Sequence, residues 1–99
     1  ETLHVINVKN DIFHRISNKR IGKNVFQLSM NKSNRNFFIL NPPIRENDSM
    51  YIDAQLFYID FDSGDGWGIY LSKSLRFHYK WINKKYVYCG KEIIRWKLP

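Results

Sequence analysis

Apolar and basic side chains alternate from Leu75 to Trp81, in the order Leu-Arg-Phe-His-Tyr-Lys-Trp. Successive side chains of a strand point to opposite faces, so this run predicts a strand with one aromatic face and one cationic face. Val25 to Met30 alternates in the same way, with Phe26, Leu28 and Met30 on one side. Phe37-Phe38-Ile39-Leu40 is apolar in both phases, as a central strand would be, and Asn41-Pro42-Pro43 ends it because proline cannot donate to a ladder. From Met50 the apolar phase runs 50, 52, 54, 56 and then changes to 57, 59, 61. A slip of one residue predicts a bulge or bend near Leu56-Phe57. Asp62 to Gly66 then reads as a hairpin loop, followed by strands over Trp67–Ser72 and Leu75–Ile82.

The end of the chain allows a register to be written. Asn83-Lys84 suits a two-residue hairpin, which pairs Trp81 with Tyr86 and Tyr79 with Tyr88 and gathers four rings on one face. An odd loop over Gly90–Glu92 is expected next. It sets Tyr88 opposite Ile94 and Tyr86 opposite Trp96, and it puts Lys80, Val87 and Arg95 in one row. At the other end, Leu3 to Val8 is rich in β-branched residues and reads as a strand, whereas Asp11 to Gly22 reads as a short helix or turn with Asp11 as cap. Short strands at about ten-residue spacing predict an all-β fold, a compact antiparallel β-sandwich or barrel, with at most one short helix near residues 11–21.

Composition adds the scale and the charge. A chain of 99 residues predicts one domain over 1–99, and an aromatic share of 16% gives its core large apolar surfaces. The net charge is +7, unevenly spread: +4 over residues 1–49, −4 over 50–66 and +7 over 67–99. A basic third beside an acidic insert predicts a polarised surface. One cysteine, Cys89, excludes an internal disulfide and favours a reducing, cytoplasmic setting. No apolar run approaches 18 residues, so no transmembrane helix is expected.

Motifs that fix a reaction do not emerge. Asp60 to Gly66 superficially resembles a calcium loop, but the fifth, sixth and twelfth positions hold Gly64, Asp65 and Leu71, against the pattern of ligands. His4, His14 and His78 lie far apart without Cys or carboxylate neighbours at ligand spacing, so neither a metal nor another cofactor is expected. A small nuclease could use His78 as base with Arg76 or Lys80 opposing the charge of a phosphorane, yet the sequence places no carboxylate beside that histidine.

The expectation is therefore a non-enzymatic binding module that docks an anionic partner on the cationic face of the C-terminal strands. Arg76, His78, Lys80, Arg95 and Lys97 would project from the sheet, with Lys84 and Lys85 at the hairpin tip. Nucleic acid is the favoured partner, each phosphate contact releasing a counterion, ahead of an acidic protein surface or anionic glycan. A carbohydrate-binding or adhesion sandwich, an assembly or regulatory subunit, and a small nuclease or toxin are the competing classes.

Overall fold

A computed structural model describes residues 2–16, 19–20, 25–27, 36–63 and 66–94. Its first element is helix α1, Leu3–Ile16, and its cause is a stripe: Val5, Val8, Lys9 and Ile12 recur at helical spacing and are buried. Thr2 caps the helix, its Oγ1 accepting from the Val5 N–H at 3.4 Å. Leu3 to Val8 is thus helix, correcting the strand reading. The β-branched residues gave a local β preference, but burying one helical stripe against a sheet outweighs propensity differences of tenths of a kcal/mol. Helix α1 overlaps the expected segment only over Asp11–Ile16 and lies mostly upstream of it.

Seven strands follow among the described residues: β1 Lys19–Arg20, β2 Val25–Gln27, β3 Asn36–Leu40, β4 Ile44–Glu46, β5 Ser49–Ser63, β6 Gly66–Ile82 and β7 Lys85–Ile94. All their pairings are antiparallel, so the predicted fold class holds. They form one sheet in the order β1-β2-β3-β5-β6-β7, with β4 also paired to β5, and the sheet is not closed.

One face of the sheet carries the core. Phe38, Leu40, Met50, Ile52, Ala54, Leu56, Leu75, Phe77 and Tyr79 pack with Val8 and Ile12 of α1. Phe38, Ile52, Phe77 and Ile12 are fully excluded from solvent. Burial of each such side chain contributes roughly 1.5–3 kcal/mol, so the helix and this face hold each other.

Two irregularities set the register. Leu56 pairs with Lys73 but Phe57 with Leu71, which leaves Ser72 as an extra residue in β6. The register shift falls at the phase change read from the sequence, Leu56-Phe57. The segments Trp67–Ser72 and Leu75–Ile82 are nevertheless one strand, continuous through this bulge. At the other end, Asn83 and Lys84 both have positive φ, 52° and 63°. Both central residues at positive φ make the mirror-image turn whose twist fits a hairpin, and Trp81 pairs with Tyr86 and Tyr79 with Tyr88 as expected.

The Gly90–Glu92 loop does not form. β7 continues beside β6, pairing His78 with Gly90, Arg76 with Glu92 and Ser74 with Ile94. Gly90 does adopt a positive φ of 132°, but within a bulge where Cys89 is the extra residue. Positive φ is needed by bulges as well as by turns, and a lone glycine cannot distinguish them. The pairing of Tyr88 with Ile94 is therefore overturned, and Trp96 lies outside the described residues.

Candidate nucleic-acid interface

Alternation places Arg76, His78 and Lys80 of β6 on the face opposite Leu75, Phe77 and Tyr79. The same alternation in β5 turns Tyr51, Asp53, Gln55 and Phe57 towards that open face, since Met50, Ile52, Ala54 and Leu56 are buried. β3 adds Phe37 and Ile39. The face is thus not simply cationic; it is a mixed surface of rings and ion pairs.

Tyr51 lies at the centre of the polar half. It pairs across the ladder with His78, ring centroids 6.1 Å apart, and the Arg76 guanidinium lies 4.1 Å from its ring centroid. Arg76 also donates twice to Asp53, from Nε to Oδ1 at 2.8 Å and from the terminal nitrogen to Oδ2 at 3.1 Å. Those hydrogen bonds raise the guanidinium pKa further above its ordinary value and hold it over the tyrosine. His78 donates from Nε2 to Glu92 Oε1 at 2.9 Å, both side chains remaining solvent-accessible. In the apolar half, Phe37 and Phe57 are stacked at 5.5 Å, both partly exposed. Hence one face presents two ring positions, Tyr51 and the Phe37–Phe57 pair, either side of Asp53 and Gln55.

Of the residues singled out from the sequence, Arg76, His78 and Lys80 come together here. Lys84 is in the hairpin turn and Lys85 opens β7, both exposed. Arg95 and Lys97 lie outside the described residues. The register carries β7 to Ile94 opposite Ser74, six residues along β6 from Lys80 and so roughly 20 Å from it. The predicted row keeps Lys80 opposite Val87, and its third member, Arg95, lies outside the described residues.

Sequence reasoning missed Asp53, Tyr51 and Glu92. The first two were readable from the polar phase of β5, which alternates with its apolar phase. Glu92 was not, because Gly90 before it suits a loop as well as the bulge that carries β7 on beside β6. Its place opposite Arg76 and its bond to His78 supply the carboxylate that the sequence did not put beside the histidine.

A second feature lies on the other side of the sheet, where α1 meets the β6–β7 hairpin. A cavity of about 240 Å³ is lined by His4, Asn7, Asp11, Tyr79, Lys85, Tyr86 and Tyr88 among others. A neighbouring one of about 300 Å³ shares His4 and Tyr86 and adds Arg45, Asp48 and Trp81. Trp81 stands edge-on to both His4 and Tyr86 at 4.9 Å. Tyr79 is buried, whereas Trp81, Tyr86 and Tyr88 are only partly so. The Tyr79 hydroxyl donates to Asp11 Oδ2 at 2.5 Å, and Arg15 Nε donates to the same oxygen at 2.9 Å. Desolvation pushes the Asp11 carboxyl upward, but these hydrogen bonds outweigh it and hold its pKa below the ordinary value. Burial first, and the bond to Asp11 second, push the Tyr79 phenol well above its usual range.

Among the described residues no three His, Cys, Asp or Glu side chains gather as a metal site. No described helix is long and apolar enough to cross a membrane. Comparison with models of protein families, with curated proteins and with solved structures returned no match.

Proposed function

We infer that the protein binds an anionic partner, single-stranded nucleic acid in first place, on the open face of its sheet. The observation that carries this reading is the juxtaposition of partly exposed rings, Tyr51 and the Phe37–Phe57 stack, with Arg76, His78 and Lys80 on one face while α1 covers the other. Rings on an open β-surface offer stacking positions for unpaired bases, and cations beside them meet the backbone phosphates. A duplex keeps its bases stacked and would leave the rings idle, so a single strand fits better. The overall charge of +7 draws such a polymer from a distance.

Arg76 is already paired with Asp53 and the His78 ring with Glu92, so electrostatics supplies fewer phosphate contacts than a count of basic residues suggests. Anisotropy of a labelled single-stranded DNA, titrated across salt, tests the reading. Affinity is expected to fall with salt, and Lys80→Ala to flatten the log–log slope by about 0.7. Tyr51→Ala is expected to weaken binding by about 1–3 kcal/mol. A slope near zero would sink the proposal.

A second reading is favoured by the pair of cavities along α1. Each sets one carboxylate against one Lys or Arg, Asp11 with Lys85 and Asp48 with Arg45, and both share His4 beside aromatic edges. That balance suits a neutral, hydroxyl-rich ligand such as a short glycan. Tryptophan fluorescence of Trp81 should then respond to neutral disaccharides with little dependence on salt; no response to cellobiose, maltose, lactose or chitobiose removes it.

A further inference from the structure

We propose that the open face cleaves RNA, with His78 as general base oriented by Glu92 and Arg76 as the charge that stabilises the phosphorane. This rests on the reading that nucleic acid docks on that face. Four observations meet at one place, where β5, β6 and β7 lie side by side. Glu92 accepts from His78 Nε2 at 2.9 Å. A carboxylate accepts only, so Nε2 carries a proton, and the acceptor nitrogen that the ring offers in its neutral form is Nδ1. Arg76 lies two residues away on the same strand face, its guanidinium fixed by two bonds to Asp53 and by the ring of Tyr51. Tyr51 bridges the two, 6.1 Å from the imidazole by ring centroid and 4.1 Å from the guanidinium. Lys80 continues the row, exposed.

A base stacked on Tyr51 would bring its own ribose and 3′-phosphate between His78 and Arg76. The reaction that needs only these groups is internal transphosphorylation. His78 Nδ1 takes the proton of the ribose 2′-hydroxyl. The 2′-oxygen forms a bond to phosphorus while the bond from phosphorus to the 5′-oxygen of the next nucleotide breaks. That oxygen takes a proton from solvent water, and the histidine returns its own to solvent. The products are a 2′,3′-cyclic phosphate and a 5′-hydroxyl, so no oxidant, reductant or metal enters the balance. Asp53 and Glu92 then have distinct tasks. One holds the guanidinium over the ring, and the other fixes the tautomer of the imidazole. A face built only to attract phosphate has no use for either carboxylate, since each cancels a charge.

The experiment compares one single-stranded RNA with the all-deoxy strand of the same sequence. Mass spectrometry of the RNA products is expected to find 2′,3′-cyclic phosphate ends, and the deoxy strand, lacking the 2′-hydroxyl, is expected to bind and remain intact. His78→Ala should lower the cleavage rate by about 100-fold or more. Glu92→Gln should lower it while circular dichroism shows the fold retained and the deoxy strand still binds. Intact RNA in the presence of normal binding would overturn the proposal and leave the binding reading standing, with His78 and Glu92 serving only to join β6 to β7. Cleavage undiminished in His78→Ala would overturn it equally. Failure of both strands to bind would overturn the two readings together.

Discussion

Tyr79 shows how one side chain ties two elements. Its ring lies in the core and its hydroxyl reaches Asp11 on α1, where Arg15 also donates. Tyr79→Phe should cost about 1–2 kcal/mol in urea unfolding, the usual worth of a hydrogen bond to a charged group with one exposed partner. The two pKa directions give the pH window. Asp11 titrates below its ordinary 3.8 in the folded state, so its contribution is complete above that value and is lost as pH falls through the folded pKa. Tyr79 titrates above its ordinary 10.0, so its contribution is complete below pH 10 and declines above it. Asp11→Asn should therefore flatten the acid limb of stability against pH. Which residues would share a face was legible at this scale, because a strand's period of two survives any error of pairing. Which carboxylate meets which base was not: Asp53 and Arg76 are 23 residues apart, and only the ladder brings them together.

Among the elements, the β6–β7 hairpin was the most legible and the N-terminal segment the least. Asn83-Lys84 carries its turn preference in its own backbone, so local sequence decides the register. Lys84 pays for its left-handed conformation, and Lys84→Gly should raise stability by about 0.5 kcal/mol, the relief of strain exceeding the extra freedom of the unfolded chain. Gly90→Ala should lower it by about 1–2 kcal/mol although no atom lies within 4 Å of the added carbon, because the cost is in φ and not in space. Thermal melts of the two variants should move in opposite directions. In α1, by contrast, local preference pointed to a strand and the covering of Phe38, Ile52 and Phe77 decided otherwise. Ile12→Ala, at a fully buried position, should cost about 2–5 kcal/mol. The alternation of β7 was misassigned after Tyr88 because a bulge and a loop both call for Gly90.

For the molecule as a whole, the charge map was legible but its consequence was not. The acidic insert and the basic third are adjacent strands, β5 and β6, and part of the imbalance is discharged where Asp53 meets Arg76. The long axis of 53 Å is about the length of these two strands, and the radius of gyration of 15.0 Å exceeds the roughly 13 Å expected of a spherical domain this size. The buried cluster stops at Leu56 and Leu75, both on the core side of the Ser72 bulge. Past it, Tyr58 and Tyr70 stack in the open at 5.3 Å and Ile69 is half exposed. Gly68 leaves room for the Tyr70 side chain, whose hydroxyl would lie 2.8 Å and nearest ring carbons 3.0 Å from an added Cβ. Amides of Tyr58, Ile59 and Ile69 should exchange with deuterium at least about tenfold faster than those of Ile52 and Phe77.

The distal ribbon is then a cantilever, anchored at the bulge, with none of its described side chains in the cluster that the helix helps to bury. Side chains along it can be replaced without loosening what lies at its root, so the reach of the molecule and the firmness of its base are separately adjustable.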